Sequence, residues 1–313
     1  MTRLVRSPVR TVRSRLFDSA GWAGYRPRAD DILVCSYPKC GTTWVQRIVG
    51  MLLAGSAEPA PVGNPWPDFR LRGPGGATWA ETDAIPGRRI LKSHLPYDAL
   101  PVYVGVKFVH VARDGRDAAL SYHNHLRGFR PQILEAIDQV NLADPKFGDV
   151  MPPTPEAPAA YFHQWLSDGG GVGDDGASYW QVERSYWAAR RDANVLLVHY
   201  ADLKADLAGE IGRIAIFLGL QAPARVMAQI VVAAEFETMR AQAETLMPGA
   251  GRAWVDGPLT IFNEGFNGRW RGLFDEADLA AYQTTVAIEL TPGLAAWLEG
   301  GRLRAGEPTA SAD

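Results

Sequence analysis

Cysteines are few in this chain, and long apolar runs are missing altogether. Only Cys35 and Cys40 occur among the 313 residues, and no histidine lies near them in the sequence. Their spacing fits neither a disulfide framework nor a metal site, so a reducing cytoplasm is the expected location. A membrane-spanning helix needs about 18 or more consecutive apolar residues. Since no such run occurs, no transmembrane helix is predicted.

Positive charge is also scarce in the body of the chain. The formal net charge is −3, and five arginines fall within residues 1–15, a segment without any acidic residue. The remaining residues carry 27 basic and 35 acidic side chains, or a net charge of about −8. Proteins that bind nucleic acids present basic surfaces. A nucleic-acid partner is therefore not expected.

The N-terminal segment allows two interpretations. Apolar residues recur there at spacings of three and four, with arginines between them: Val5, Val9, Val12 and Leu16. A basic amphipathic helix with this pattern would make weak contact with an anionic membrane surface. The simpler interpretation is a solvated tail. We expect residues 1–29 to be this lead-in, residues 30–300 to form one domain, and residues 301–313 to be a C-terminal tail.

Short apolar runs alternate with helical patterns between these ends. Strands are predicted within residues 31–36, 89–92, 102–112 and 195–200, with helices after them. This alternation predicts a single α/β domain with a mostly parallel central sheet flanked by helices. Ligand sites in such sheets lie beyond the carboxyl ends of the strands. Two segments rich in proline and glycine, residues 56–88 and 141–178, are predicted to be lids or binding loops.

The segment "CSYPKCGTTW", which follows the first predicted strand, has the composition of an anion-binding loop. Gly41 precedes a predicted helix, whose N-terminal N–H groups and dipole favour an anion. Lys39 adds a positive charge, and two threonines add hydroxyl groups. A Walker A loop needs G-x-x-x-x-G-K-[ST], but here the first glycine is missing and no lysine follows Gly41. An ATP site is therefore a poor fit, and a purely structural turn stays open.

Five segments resemble motifs of one known family. "YPKCGTTW" is similar to the 5'-phosphosulfate loop, Y-P-K-[SA]-G-T-T-W, of the cytosolic-type sulfotransferases, which use 3'-phosphoadenosine 5'-phosphosulfate (PAPS). Further matches follow in the family's order: "LKSHLP", "ARDGRDAALSYHNH", "VLLVHYADLKADLAGEIGRIAIFLGL" and "NEGFNGRWRGLF". The resemblance covers roughly residues 30 to 275 and is most similar to actinobacterial members. It implies a P-loop-like domain and a PAPS-dependent O-sulfotransferase.

The resemblance implies roles for the donor loop. Lys39 is expected at the 5'-phosphate and at the bridging oxygen, where charge develops as the S–O bond breaks. The next four residues are expected to surround the phosphate: Cys40, Gly41, Thr42 and Thr43. Trp44 and Tyr200 are expected to contact the adenine.

A second motif is expected to hold the 3'-phosphate. Arg113 and Ser121 stand eight residues apart as in the family, and a guanidinium–phosphate pair is strong and directional. The family's last motif, R-K-G-x-x-G-D-W-K, is altered at its first two positions, and its first three residues here are Asn263, Glu264 and Gly265. Two cations are lost and an anion is gained. Either Arg269 or Arg271 compensates, or the 3'-phosphate is held less tightly.

The resemblance also implies the catalytic residues. His94 is expected to be the general base, because its ordinary pKa lies near neutrality. Lys92, together with Lys39, is expected to stabilise the transferring sulfuryl group, so no metal is required. Cys40 stands where the family has serine or alanine. A thiol beside a lysine at a helix N-terminus is expected to have a lowered pKa and to be reactive, the alternative being a buried, inert cysteine.

The acceptor is expected to be a small or lipophilic compound with a hydroxyl group. Aromatic residues are candidates for its binding site, since such sites are mostly apolar: Trp66, Phe69, Trp79, Phe129, Phe162 and Trp165. The remaining histidines are expected to be structural: His110, His123, His125, His163 and His199. Two other functions stay open, a P-loop nucleotide kinase and a non-catalytic protein that binds adenosine bisphosphate. The acceptor's identity and the oligomeric state do not follow from the sequence.

Overall fold

A four-stranded parallel sheet forms the centre of the computed structural model, which describes residues 2–72, 79–169 and 177–313. In the described ranges the strands are β1 (Leu4–Arg6), β2 (Ile32–Cys35), β3 (Ile90–Ser93), β4 (Val102–Tyr103), β5 (Lys107–Ala112) and β6 (Val195–His199). The central sheet has the order β3-β2-β5-β6, and all its strands run parallel. Strands β1 and β4 pair separately and antiparallel.

Helices surround this sheet. They are α1 (Thr42–Ala54), α2 (Trp79–Ala84), α3 (Gly115–Arg127), α4 (Pro131–Leu142), α5 (Pro158–Ser167), α6 (Tyr179–Ala188), α7 (Tyr200–Ala205), α8 (Leu207–Leu218), α9 (Ala224–Ala234), α10 (Phe236–Ala241), α11 (Ala243–Leu246), α12 (Glu276–Glu289), α13 (Pro292–Gly300) and α14 (Arg302–Ala305). Short 3-10 helices cover Ser19–Trp22, Arg70–Arg72, Tyr97–Ala99, Ala250–Arg252, Gly257–Thr260 and Pro308–Ala310. Within the described ranges, every helix is too short or too polar to cross a bilayer.

The central strands are buried on both faces, as their apolar composition requires. Alternate residues of β2 and β5 enter two separate apolar clusters: Leu33 and Phe108 pack into one, and Val34 and Val109 into the other. Helices α1, α8 and α9 cover the second cluster, while α3, α5, α6 and α12 contribute to the first. Strands that are covered on both sides read as continuous apolar runs. The prediction of an α/β fold with a parallel sheet is confirmed.

One predicted strand is interrupted. The apolar run of residues 102–112 forms β4 and β5, with a turn between them that contains Gly105. Gly105 has a φ of 84°, and a Cβ there would lie 2.1 Å from the carbonyl oxygen of Ala29. Both the positive φ and the close approach require glycine. A turn therefore divides a run that periodicity alone assigns to one strand.

The expectation that residues 1–29 form a tail or a surface helix is wrong. Strand β1 pairs with β4, and Val12 and Phe17 are buried in the core. Three of the arginines form ion pairs with acidic residues of the domain: Arg10 with Asp98 at 2.9 Å, Arg13 with Asp144 at 2.9 Å and Arg15 with Asp149 at 2.7 Å. The acidic body attracts this basic segment, and burial of its apolar residues adds to the attraction.

The C-terminal residues are also packed rather than forming a tail. Arg302 pairs with Glu210 of α8 at 3.0 Å, and Arg190 donates a hydrogen bond to the carbonyl oxygen of Pro308. The two segments predicted as loops contain helices, α2 within residues 56–88 and α5 within residues 141–178. Residues 73–78 and 170–176 of these segments lie outside the described part.

The register of the sheet brings the predicted motifs to one edge. Cys35 lies opposite Ser93 on one side and His110 on the other, and Ala112 lies opposite His199. Because the strands are parallel, the residues that follow them all emerge at their carboxyl ends. This is the edge at which α/β proteins bind ligands.

Candidate active site

A cavity of about 500 Å³ opens at this edge of the sheet. It gathers almost every residue predicted to bind donor or to react: Lys39, Gly41, Thr42, Thr43, Trp44, Lys92, His94, Arg113, Ser121, Tyr200, Asn263, Glu264 and Gly265. Cys40 is the exception in that set. Segments that are far apart in the sequence thus face one space.

The turn before α1 is shaped by two left-handed residues. Lys39 has a φ of 70° and Gly41 a φ of 113°. A Cβ on Gly41 would lie 3.1 Å from Cδ2 of Tyr200, so glycine is needed for both conformation and space. Thr42, the first residue of α1, has its hydroxyl 2.5 Å from that of Ser36. The N-terminus of α1 therefore faces the cavity as an anion-binding end.

Lys39 is held in an unfavourable electrostatic environment. Burial, together with the positive charges of Lys92 and Arg113, lowers its pKa to about 7. Within the described ranges, no carboxylate pairs with its ammonium group. The clustering of Lys39 with two further cations, Lys92 and Arg113, favours a negatively charged ligand.

The prediction of a reactive Cys40 is wrong. Its side chain is fully buried, and Sγ lies 3.9 Å from the carbonyl oxygen of Pro38. Burial raises the thiol pKa well above its usual value, with a contribution from the carboxylate of Glu183. This outweighs the nearby charge of Lys39 because the side chain points into the core instead of toward the cavity. The inert alternative fits the structure.

His94 has the tautomer that a general base needs. Its Nδ1 lies 2.7 Å from the carbonyl oxygen of Ser36, and since a carbonyl only accepts, Nδ1 carries the proton. Nε2 is left with a lone pair. Burial lowers the pKa of His94 well below its ordinary value, and the charges of Lys92 and Lys39 act in the same direction. The imidazole is therefore neutral near pH 7.

Asp68 fixes the surroundings of His94 and was missed by the sequence analysis. This carboxylate is 1% exposed, and its Oδ2 accepts hydrogen bonds from the backbone N–H of His94 at 2.9 Å and from Nε1 of Trp66 at 3.1 Å. The Trp66 ring stands edge-on to His94, and Nζ of Lys92 lies 3.5 Å from the centroid of the Trp66 ring. The sequence did contain a signal for this role, because Asp68 lies between Trp66 and Phe69, two aromatic residues predicted to line the pocket.

Arg113 and Tyr200 form the opposite wall. The guanidinium of Arg113 lies 4.1 Å from the centre of the Tyr200 ring and donates to the carbonyl oxygen of Phe266 at 2.9 Å. Its Nε is buried without a hydrogen-bond partner in the part of the chain that the structure describes. Tyr200 stands edge-on to Trp44, whose Nε1 donates to the carbonyl oxygen of Ala234. The cation is thus held in place with hydrogen-bonding capacity left over.

In the altered last motif, the charge of the added anion is balanced by a nearby arginine. Glu264 forms an ion pair with Arg269 at 2.7 Å, and both line the cavity. Arg271 instead stacks on Trp270, 4.4 Å from its ring centre, away from this cavity. Gly265 has a φ of 70°, and a Cβ there would overlap the ring of Phe236. Of the two arginines considered, Arg269 is the one that lines the cavity, where it is paired with Glu264.

Three of the six aromatic residues predicted to bind the acceptor do not line the cavity. Trp66, Phe69 and Phe129 line the cavity. The predictions for the other three are wrong because each is committed to core packing: Trp79 against Trp22 and Tyr25, Phe162 against Phe274, and Trp165 by a hydrogen bond to Tyr37. Several lining residues were missed, among them Phe17, Ile133, Met247, Trp254 and His125.

Comparison with known proteins agrees with this geometry. A family model described as "Sulfotransferase domain" matches residues 29–287. The chain belongs to the sulfotransferase family. The enzyme is 30% identical over 311 residues to a glycolipid sulfotransferase of Mycobacterium bovis (strain BCG / Pasteur 1173P2), a match that covers 93% of this chain and 94% of the relative. It is 27% identical to sulfotransferase 1C2 of Rattus norvegicus, over 81% and 80% of the two chains.

Solved structures with the same fold are more distant in sequence. A mouse sulfotransferase crystallised with PAP superimposes with a TM-score of 0.63 at 22% identity, over 87% of this chain and 91% of that one. A retinol dehydratase in complex with androsterone and PAP gives a TM-score of 0.62 at 20% identity, over 88% and 84%. The prediction of a sulfotransferase is confirmed, while the individual site residues stay predictions.

The left-handed turn at Gly41 can be tested by adding one methyl group. Gly41→Ala should lower the free energy of unfolding by about 1–2 kcal/mol, because an L-residue is strained at positive φ. Gly50→Ala is the matched control within the same helix, since a Cβ there meets nothing within 4 Å. It should raise stability by about 0.5–1 kcal/mol. Urea unfolding measures both, and equal stability of Gly41→Ala and wild type would contradict the constraint.

Proposed function

We propose that the enzyme transfers a sulfuryl group from PAPS to a hydroxyl group of a small or lipophilic acceptor. The observation that carries this proposal is the cavity itself, which joins a cationic turn at the N-terminus of α1 to a neutral histidine with a free Nε2. Two relatives of the same fold were crystallised with PAP, the desulfated form of such a donor. That likeness supports the same donor for this chain.

The residues of the cavity fit a donor with two separated anionic groups. Lys39, the hydroxyl of Thr43 and the N-terminus of α1 are suited to the 5'-phosphate. Arg113, whose buried Nε has no partner in the described ranges, and Arg269 are suited to the 3'-phosphate. Trp44 and Tyr200 offer aromatic surfaces to the adenine between these groups. A guanidinium that binds the 3'-phosphate would make the site selective for PAPS over ATP, because ATP has no 3'-phosphate.

The proposed reaction is a direct displacement at sulfur. The acceptor oxygen forms a bond to sulfur while the bond from sulfur to the bridging oxygen breaks, and PAP leaves with that electron pair. His94 takes the acceptor proton at Nε2, and the ammonium of Lys39 stabilises the charge on the bridging oxygen. Lys92, held against Trp66, stabilises the oxygens of the sulfuryl group. The products are a sulfate ester, PAP and a protonated His94.

The apolar end of the cavity supports a lipophilic acceptor. Beyond His94 its walls are formed largely by aromatic and aliphatic side chains: Leu16, Phe17, Trp66, Phe69, Leu71, Phe129, Ile133 and Trp254. An apolar wall of this kind favours a hydrophobic ligand whose polar group reaches the base. The name of the mycobacterial relative, a glycolipid sulfotransferase, makes glycolipids one class to include among trial acceptors.

Donor selectivity should be visible in binding alone. PAP should raise the melting temperature more than AMP or ATP does, because only PAP presents a 3'-phosphate. Arg113→Met should weaken PAP binding about 10- to 100-fold, the effect of losing a charge-assisted hydrogen bond, and should leave AMP binding almost unchanged. Arg225→Met, which alters an exposed arginine, is the control. Stronger stabilisation by ATP than by PAP would favour a nucleotide kinase instead.

The role of His94 should separate binding from turnover. His94→Ala should bind PAP with wild-type affinity by calorimetry, yet lose about 10²- to 10⁴-fold in sulfate transfer, the range for loss of a general base. Radiolabelled PAPS with phenol, steroid and glycolipid acceptors provides the assay. His163→Ala, which alters a half-exposed residue outside the cavity lining, should keep full activity. If the wild type binds PAP but sulfates none of these acceptors, the non-catalytic alternative is favoured.

Donor binding should weaken as the pH rises above neutrality. The pKa of Lys39 is about 7 in the donor-free enzyme, and a phosphate beside it raises that pKa. Between pH 7 and the higher pKa of the complex, PAP affinity should fall about tenfold per pH unit, because binding then requires uptake of a proton. Lys39→Arg, whose side chain stays charged, should flatten this profile. An identical decline in both proteins would assign it to another group.

A further inference from the structure

His125 stands where the donor side of the cavity meets the acceptor side. It follows Ser121 by one turn of α3, and its ring lies 5.0 Å from the rings of both Phe129 and Trp254. Its Nδ1 is 3.5 Å from Nζ of Lys39. Sequence reasoning expected a structural histidine here, although residues four apart on a helix share one face. The same spacing from Ser121 was the signal that it would face the cavity.

The contact with a protonated Lys39 determines the tautomer of His125. When Lys39 is protonated, its ammonium group has hydrogens to donate and no lone pair to accept with, so Nδ1 of His125 is then the acceptor and Nε2 carries the proton. Burial lowers the pKa of His125 well below its ordinary value. The charges of Lys39 and Lys92, and to a smaller extent His94, lower it as well. The cavity therefore contains two neutral imidazoles of opposite tautomer, since His94 carries its proton on Nδ1.

We propose that His125 is a positioning residue that serves as the resting partner of Lys39 in the donor-free enzyme. It holds the ammonium at the boundary between the two halves of the cavity and releases it when the donor arrives. This inference rests on the proposed function only for the identity of the donor. The backbone of Lys39 is fixed by its left-handed turn, so the exchange of partners is a movement of the side chain alone.

The exchange has a clear direction. A long hydrogen bond to a neutral imidazole is weak, whereas an ammonium–phosphate contact is charge-assisted and stronger. In the described ranges no carboxylate competes for Lys39. Once the ammonium has moved to the donor, Nδ1 of His125 is free to accept a hydrogen bond from the acceptor molecule. Donor binding thus alters the polar group that an incoming acceptor meets beside Phe129 and Trp254.

Nuclear magnetic resonance of isotope-labelled histidine tests the resting contact directly. At a pH below 7, where Lys39 is mostly protonated, the free enzyme should show His125 protonated at Nε2, and Lys39→Met should shift the Nδ1 resonance toward that of an unbonded nitrogen. Addition of PAP to the wild type should shift it in the same direction. His123, on the same helix but bonded to the carbonyl oxygen of Pro155, should not move. A proton on Nδ1 of His125, or identical His125 spectra for wild type and Lys39→Met, overturns the proposal.

PAP affinity gives a second and independent readout. Because the resting contact competes with the donor, His125→Phe should bind PAP about two- to fivefold more tightly than wild type, which corresponds to the loss of one weak hydrogen bond. His125→Gln, which keeps an acceptor oxygen, should return toward wild-type affinity, and His123→Phe is the matched control. Weaker binding by His125→Phe contradicts the proposal. A wild type that does not bind PAP contradicts the proposed function, while the comparison of free wild type with Lys39→Met still decides the resting contact.

Discussion

The arrangement of the site depends on a single hydrogen bond between the ends of two neighbouring strands. His94 donates from Nδ1 to the carbonyl oxygen of Ser36, and the hydroxyl of Ser36 contacts that of Thr42 at the start of α1. One residue, Ser36, therefore links His94 to the turn at the start of α1. This is possible because β2 and β3 pair in parallel with Cys35 opposite Ser93. A shift of register by one residue would turn every side chain to the other face.

Electrostatics explains why this arrangement is built around an anion. Four cations face the cavity, namely Lys39, Lys92, Arg113 and Arg269, although the whole chain has a net charge of −3. Desolvation and mutual repulsion make such a group unfavourable without a ligand, as the lowered pKa of Lys39 shows. The protein reduces this cost with aromatic faces, since the ring of Trp66 lies against Lys92 and that of Tyr200 against Arg113. A polyanionic donor would offset the remaining positive charge.

Local patterns predicted the framework well, because strand, turn and helix signals are properties of neighbouring residues. The strand before Cys35, the helix from Thr42 and the polar residues at strand ends all follow from such signals. The direction in which a side chain points does not follow from such local signals. Cys40 points into the core although its neighbours face the cavity, and burial reverses the pKa shift expected from a lysine and a helix end. Packing partners supplied from other parts of the fold decide such cases.

The same limit separates the aromatic residues that line the cavity from those that do not. Trp66 and Phe69 belong to a segment held beside His94 by Asp68, whereas Phe162 and Trp165 lie on a helix whose apolar face is fully covered. Composition is alike in both sets, so a single sequence cannot tell them apart. His125 and Asp68 were missed for the related reason that their partners, Lys39 and the His94 backbone, are distant along the chain.

The packing of the N-terminal segment has a consequence for how the chain acquires its structure during synthesis. Strand β1 pairs with residues 102–103, Arg10 with Asp98, and Arg13 with Asp144. These contacts join positions about 90 to 130 residues apart, and such distant pairings form late in folding. Residues 1–17 are made before all of these partners, so their arginines and valines stay uncovered until Asp144 has been made. Since Leu16 and Phe17 of this segment line the cavity, the apolar wall of the cavity is completed only after these distant contacts form.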